Sequence, residues 1–142
     1  YYAADFNPAA VIITKPMTDI GNVVHHLKLK RPDEFETSND MLLKVCRNAT
    51  DSALKIFNDR FWDKFKQGNF VNTEFAIAYM EQDDFDSNSF YRLLSYLSDN
   101  DIKVYGKGYQ GRHNDNTRAT VIWFVNEYKR IMVEKFKRSF NE

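Results

Sequence analysis

The sequence predicts an α+β fold that is mainly helical, with strands near the start of the chain and again after its middle. From residue 41 to residue 99, apolar side chains recur every three or four positions, which is the period of an amphipathic helix. At Ile102 the period of the apolar side chains changes to two, which is typical of a strand. The run AAVIIT at 9–14 is rich in β-branched residues, which are also typical of strands. A chain of 142 residues, 43% of them hydrophobic, can form one compact domain.

The first forty residues are predicted to form an N-terminal extended or β segment, ahead of a domain at 41–142. The strand-like runs 9–14 and 22–30 are separated by Gly21, which accommodates the backbone angles of a tight bend. An N-terminal β-hairpin is one prediction for this segment, and an extended arm is the other.

Three helices are predicted to follow the N-terminal segment. The first spans 41–67 and ends before Gly68, a residue type that is common just after a helix. Two shorter helices in tandem are predicted at 72–82 and 87–99, each behind a capping residue. A C-terminal helix is predicted in the basic tail beyond residue 125.

Two strands, 102–109 and 119–125, are predicted to pair antiparallel between the last two helices. The polar segment around them contains Gly106, Gly108 and Gly111 in the G-x-G-x-x-G spacing of phosphate-binding loops. A dinucleotide-binding loop needs a helix directly behind it and an acidic ribose partner on a further strand, and neither is predicted here. We therefore interpret these glycines as the bends of a hairpin and expect them to bind no nucleotide.

The element order from Val71 to Val125 resembles that of winged helix-turn-helix proteins. Helix, turn, helix, strand, polar loop and strand follow one another with approximately the lengths found in that class. The resemblance implies a winged helix-turn-helix core, with 87–99 as the recognition helix and 106–118 as the wing.

The charges balance over the whole chain but are segregated locally. Lys and Arg number 20, as do Asp and Glu, so no field of the whole protein attracts nucleic acid. Acidic residues dominate between Glu81 and Asp101, whereas the wing and its flanks are basic and carry tyrosines that can stack on bases. The predicted nucleic-acid contacts are Lys103, Tyr105, Lys107, Tyr109, Arg112, His113 and Arg118 on the wing side, and Arg92 on the recognition helix.

These features predict a non-enzymatic DNA-binding protein, such as a transcription regulator or a replication-associated factor of a phage. The alternative is a protein-interaction module or inhibitor, which docks a basic protein partner through the acidic face of Asp83, Asp84 and Asp86. Enzymatic activity is the third interpretation, because no sequence motif places a nucleophile beside an oriented histidine.

No cofactor and no metal site are predicted. His25, His26, His113 and Cys46 lack the short regular spacings of zinc ligands. The acidic run at 81–86 lacks the order of a calcium-binding loop.

The sequence also predicts an intracellular, cytoplasmic protein without a membrane segment. The longest apolar run, 9–14, is far shorter than the roughly 18 residues that a membrane span needs. The single cysteine, Cys46, cannot form an internal disulfide and is compatible with a reducing compartment.

Overall fold

The computed structural model describes residues 2–18, 29, 32–33, 36 and 51–137. The chain divides into two compact units, one formed by Met17–Gln67 with Tyr1 and the other by Tyr2–Pro16 with Gly68–Glu142. The predicted boundary after residue 40 lies outside the described residues, and so does most of the predicted second strand at 22–30. Leu29, the described residue of that run, is helical.

The first unit contains helix α1, Asp51–Lys66, which falls inside the predicted helix at 41–67. Its last turns carry an aromatic cluster in which Phe61 stacks on Phe65 at 5.9 Å between ring centroids. Trp62 meets both rings edge-on, at 5.4 and 5.7 Å, and is itself buried. The predicted residues 41–50 of this helix lie outside the described part of the chain.

The second unit is built on a parallel sheet. Its described strands are β1, Ala10–Thr14, β2, Glu74–Met80, and β3, Val104–Tyr109, in the order β1-β2-β3. A short 3-10 helix, Tyr2–Asp5, precedes β1. β2 is the central strand and pairs in parallel with both neighbours, so that the three strands end at the same edge of the sheet.

The predicted helix at 72–82 is wrong, because most of this segment forms the central strand β2. Phe75, Ala76, Ile77 and Ala78 are all fully buried, because helices cover both faces of a parallel sheet. Alanine and methionine are good helix formers, and a strand that is buried on both faces has no polar alternation to reveal it. Burial and pairing on both sides therefore override the helical preference of this segment.

Helix α2, Asp84–Asp99, contains the predicted helix at 87–99 and covers one face of the sheet. The ring of Phe90 stacks on Tyr79 of β2 at 4.0 Å between centroids, and Leu93 and Leu97 are buried. Asp83 caps its N-terminus by accepting hydrogen bonds from the backbone N–H groups of Phe85 and Asp86.

Helix α3, Thr117–Phe136, covers the opposite face, where Trp123 packs against Ala76 and Ala78. The small alanine side chains leave room for the indole, and Ile12 and Tyr109 complete this cluster. Within the described residues, no helix has the length and apolarity that crossing a membrane would require.

The predicted strand at 119–125 is also wrong, because all of these residues belong to helix α3. The run ATVIWFV has the β-branched and aromatic composition of a strand, but it continues without interruption into the predicted C-terminal helix. The predicted strand at 102–109 is confirmed as β3, although it pairs in parallel with β2 and not antiparallel with 119–125. The second strand of the predicted wing is thus part of a helix.

The three glycines belong to a strand and the loop after it, and the predicted hairpin bend is wrong. Gly106 and Gly108 lie inside β3, where an added Cβ would clash with the ring of Phe90 and the side chain of Glu81, respectively. Gly111 lies in the following loop with φ at +118°, a region that favours glycine. A helix does follow this loop, contrary to prediction, but the two strand glycines serve close packing.

A buried ion-pair network joins the start of β2 to α3. Glu74 is 2% exposed and accepts hydrogen bonds from Arg130 at 2.5 Å and from Lys103 at 3.2 Å. Arg130 also binds Glu127 at 2.7 Å and Glu134 at 2.8 Å. Burial by itself raises the pKa of Glu74, but the hydrogen bonds and charges of Arg130 and Lys103 more than offset it and hold the pKa below its ordinary value.

We expect Glu74→Gln to lower the free energy of unfolding by about 1–3 kcal/mol at pH 7, because buried hydrogen bonds to charged groups are lost. The pKa of Glu74 is depressed on folding, so its stabilisation is complete above the ordinary value of 4.5 and is lost as the pH falls below it. Urea unfolding at pH 7 and at low pH should therefore show a difference between variant and wild type that shrinks on acidification. The control Glu134→Gln removes a half-exposed partner of the same arginine and should cost less than about 1 kcal/mol.

Candidate functional site

The candidate site lies where the parallel strands β2 and β3 end. Their last residues, Met80 and Tyr109, are in register, so the segments that follow start side by side. The segment after β2 carries Asp83 and Asp86, and the loop after β3 carries His113. In open parallel sheets, ligands bind beyond the carboxyl ends of the strands, and this edge is therefore where functional side chains are expected.

A buried carboxylate and a histidine meet at this edge. His113 Nδ1 lies 2.7 Å from Asp86 Oδ1, and the second carboxylate oxygen, Oδ2, accepts the backbone N–H of Met80 at 3.3 Å. The side chain of Asp86 is fully buried, whereas that of His113 is 40% exposed. The pair thus has one end anchored in the protein interior and the other at the surface.

Burial raises the pKa of Asp86 above its ordinary value, although the hydrogen bond and the charge of His113 act to lower it. The carboxylate of Asp83 acts in the same direction as burial, and the Met80 N–H opposes it. The charged form of this buried group therefore depends on the imidazole, which is its largest stabilising contact.

The contact also orients the histidine. When Asp86 is ionised it only accepts hydrogen bonds, so Nδ1 of His113 then carries the proton that it donates to Asp86. The neutral ring then has Nε2 as its acceptor. This is the arrangement in which histidine serves as a general base, with a carboxylate holding the tautomer and stabilising the charged ring when it forms.

Asp83 positions the first turn of α2, on which Asp86 lies. Its Oδ1 accepts the backbone N–H groups of Phe85 at 3.1 Å and Asp86 at 3.0 Å, and its carbonyl accepts the Ser87 hydroxyl at 2.8 Å. The cap fixes the direction in which the helix leaves the strand, and with it the position of the Asp86 carboxylate.

Side-chain amides tie the histidine loop to the turn after β2. The backbone N–H of Gly111 donates to Oε1 of Gln82 at 2.6 Å, and the Gln82 backbone N–H donates to the Gly111 carbonyl at 3.1 Å. Gln82 also donates through Nε2 to Gln110 at 2.8 Å, and Asn116 binds the Gln110 carbonyl. Both halves of the site therefore share one hydrogen-bonded framework.

Asp83, Asp86 and His113 could also approach a metal ion, since one potential ligand atom from each lies within 4.8 Å of the others. However, Asp83 Oδ1 already caps α2, and both oxygens of Asp86 have hydrogen-bond donors. These internal bonds favour the carboxylate–histidine pair over a metal site. The other residues weighed as zinc ligands, His25, His26 and Cys46, lie outside the described part of the chain.

The predicted nucleic-acid contacts lie on or beside β3, in the loop after it, on α3 and on α2. Lys103 binds Glu74, Lys107 lies 5.6 Å from the ring centre of Tyr109, and Tyr109 packs on the α3 face of the sheet. The others are exposed on four elements: Tyr105 on β3, Arg112 in the loop, Arg118 on α3 and Arg92 on α2. His113 instead meets Asp86, a residue that had been predicted on a different surface.

The predicted acidic docking face is wrong at one of its three positions. Asp84 is exposed and Asp83 is half-buried, but Asp86 is fully buried against His113 and cannot contact a partner. Residue spacing does not reveal the pair, because Asp86 and His113 are 27 residues apart. The sequence feature that could indicate the pair is an acidic run directly after β2 and a histidine after β3. It was not recognised because β2 was predicted to be a helix.

Comparisons with known proteins identify the family. Residues 1–138 match the family described as accessory Sec system GspB-transporter. The chain is 38% identical over 138 residues to an accessory Sec system protein of Staphylococcus aureus and 34% identical over 135 residues to one of Streptococcus gordonii. A solved chain of the Glycosylation Associate Protein (Gap123) complex from Streptococcus agalactiae matches 99% of this chain, with a TM-score of 0.86 and 38% identity.

The chain belongs to the accessory Sec system GspB-transporter family. It spans about a quarter of the curated relatives, 26% of each, and 27% of the solved chain. Membership overturns the resemblance to winged helix-turn-helix proteins, together with the predicted functions in DNA binding, transcription and phage biology. The alternative prediction of a protein-interaction module agrees better with this family.

We expect Gln82→Ala to loosen the loop that carries His113, because the Gly111 N–H loses its acceptor. Amide hydrogen exchange measured by NMR should be about five- to tenfold faster at Gly111, as expected for one lost hydrogen bond. Gln82→Glu keeps an acceptor for this amide and should exchange close to the wild-type rate. Equal exchange in the wild type and Gln82→Ala would show that the side chain does not hold the loop.

Proposed function

We propose that this chain functions as part of an accessory Sec system protein that works in a complex with other proteins. The observation that carries the proposal is the family match over residues 1–138. It is supported by the relative that was solved as part of the Gap123 complex, at a TM-score of 0.86. By analogy with the family description, the cargo of this system is a GspB-type protein, and the name of the solved complex associates that complex with glycosylation.

Co-expression tests this proposal. The tagged chain is co-expressed with the other accessory Sec proteins of its own organism and analysed by size-exclusion chromatography with light scattering. We expect the chain to elute in a complex of defined stoichiometry, because a chain 38% identical to it was solved in the Gap123 complex. Elution of the chain at its own mass, with the partners in separate peaks, would contradict the proposal.

The carboxylate–histidine pair favours a second function, which is acid–base catalysis. A component of a transport system does not need this activity. No catalysis is predicted from the sequence. Asp86 precedes His113 in the chain, and the two follow adjacent parallel strands with 2.7 Å between Nδ1 and Oδ1. The same chain order and the same roles occur in α/β-hydrolases, where the pair activates a hydroxyl nucleophile for acyl transfer or hydrolysis.

In this second function His113 Nε2 takes the proton of an attacking hydroxyl group, and Asp86 stabilises the imidazolium that results. The 40% exposure of the His113 side chain gives a substrate access to that edge, while the fully buried Asp86 holds the ring from behind. The described residues show no nucleophile in contact with the pair. A hydroxyl group therefore has to come from the substrate, from another part of the protein or from a partner.

Hydrolysis of p-nitrophenyl acetate by the assembled complex tests this chemistry. We expect His113→Ala to lower kcat/KM by about a thousandfold or more, and Asp86→Asn to cause a comparable loss because the ring then loses its oriented tautomer. Arg112→Ala changes the exposed neighbour of the histidine and serves as the matched control with unchanged activity. Wild-type activity in His113→Ala, or a complex with no activity at all, would rule out the acid–base function.

A further inference from the structure

The side of helix α3 that faces the sheet is more polar than its outer side, which is the reverse of an ordinary amphipathic helix. Its buried positions are Thr120, Trp123, Glu127 and Ile131, of which two are polar. Its opposite side carries an apolar row, which we call the outer stripe: Val121, Val125, Tyr128, Met132 and Phe136.

The outer stripe is largely exposed. Val121 is 57%, Val125 43% and Phe136 50% exposed. Of the 13 large hydrophobic side chains that are exposed among the described residues, seven lie on this one helix, and four of these seven belong to the outer stripe: Val121, Val125, Tyr128 and Phe136. Contiguous apolar patches of this kind mark interaction sites in folded proteins, whereas single exposed hydrophobics do not.

The spacing along the outer stripe is that of a helix-packing seam. Its members follow one another at intervals of four, three, four and four residues. Alternating three- and four-residue steps place apolar side chains where a second helix can pack them as knobs into holes. The centre of the stripe is Tyr128, which lies between Val125 and the half-buried Met132.

The charges beside the stripe are positive. Arg118 and Lys129 are exposed and lie eleven residues apart, which is three helical turns, so both border the same side of the stripe. Lys137 at the end of the helix adds a third exposed cation. Glu127 and Glu134, the acidic residues of α3, both bind Arg130. The rim is therefore basic.

We propose that the outer stripe of α3 binds an amphipathic helix with acidic flanks, supplied by a partner protein of the accessory Sec complex. This inference rests on the proposed function, because it assigns the surface through which the chain joins that complex. A helix with apolar residues at three- and four-residue steps fills the seam, and its flanking carboxylates meet Arg118, Lys129 and Lys137.

Peptide binding tests the surface without any partner protein. The probe is a three-heptad helical peptide with leucine at its core positions and glutamate at the flanks, and the control peptide has lysine at the flanks. We expect the glutamate peptide to bind the whole chain more tightly by about tenfold or more at low salt, because several favourable surface pairs become repulsive. Equal binding of the two peptides, or no binding of either, would overturn the proposal.

Matched variants locate the binding surface. The double variant Val125→Glu with Met132→Glu should abolish binding of the glutamate peptide, whereas Tyr105→Glu, at an exposed aromatic residue on β3, should not. Lys129→Glu should weaken binding severalfold, whereas Lys107→Glu on β3 should leave it unchanged. Circular dichroism of each variant checks that the fold is retained, and loss of binding in the β3 variants alone would overturn the assignment.

Hydroxyl-radical footprinting of the assembled complex separates this inference from the proposed function. We expect protection of Met132 and Phe136 on complex formation, with Tyr91 and Tyr105 reacting as they do in the chain alone. A complex that forms while α3 stays reactive would overturn the inference and leave the proposed function intact, whereas absence of any complex would refute the proposed function.

Two further outcomes would replace the occupant. Protection of α3 in the chain alone at high concentration, with dimers in sedimentation equilibrium, would assign the face to a second copy. Protection on vesicles of phosphatidylcholine and phosphatidylglycerol, with no protection by the partner proteins, would assign it to a membrane surface. Either result overturns the proposal of a partner helix.

Discussion

The burial of β2 on both faces is the constraint from which the rest of the second unit follows. A strand with no exposed face must have a neighbour on each side and a layer of helix above and below. β1 and β3 provide the neighbours, and α2 and α3 provide the layers. The side chains on each face of β2 determine which side chains of the covering helix can pack there. The alanines leave room for Trp123 of α3, while Tyr79 stacks on Phe90 of α2.

Parallel pairing also creates the candidate site. Because β2 and β3 run in the same direction, the segments that leave them start at one edge, and Asp86 and His113 can meet across 27 residues of sequence. The full burial of Asp86 makes its charged form dependent on the imidazole, so the packing that stabilises the unit also orients the histidine. The Asp83 cap and the hydrogen bonds between Gln82 and Gly111 join this pair to the ends of the strands.

α3 performs two different tasks on its two sides. On the side that faces the sheet, Arg130 binds the buried Glu74, which Lys103 also binds from just before β3. Away from the sheet the helix presents the outer stripe. Both acidic side chains of the helix, Glu127 and Glu134, form ion pairs with Arg130. The remaining exposed charges of the helix are positive. The inner network thus sets the electrostatic character of the outer face.

The sequence by itself determined the features that depend on local chemistry. The period of two at Ile102 predicts β3, and the three- and four-residue period predicts α1 and α2, although α2 begins three residues before the predicted start and is capped by Asp83. Such signals arise from the alternation of one buried and one exposed side, and from hydrogen bonds between near neighbours. The acidic and histidine residues of the candidate site were both singled out from sequence, but for separate surfaces.

Only the tertiary structure decided the elements that lack a single buried side and the contacts between distant residues. β2 is buried on both faces, so it lacks the alternation by which a strand is recognised, and it was predicted to be a helix. The first part of α3, 119–125, has the β-branched and aromatic composition of a strand, and it was predicted to be one. With those two elements exchanged, the sheet was predicted to be antiparallel and the edge that unites Asp86 with His113 was absent from the prediction. The direction of strand pairing, which depends on how distant segments pack, is therefore what determined the candidate site.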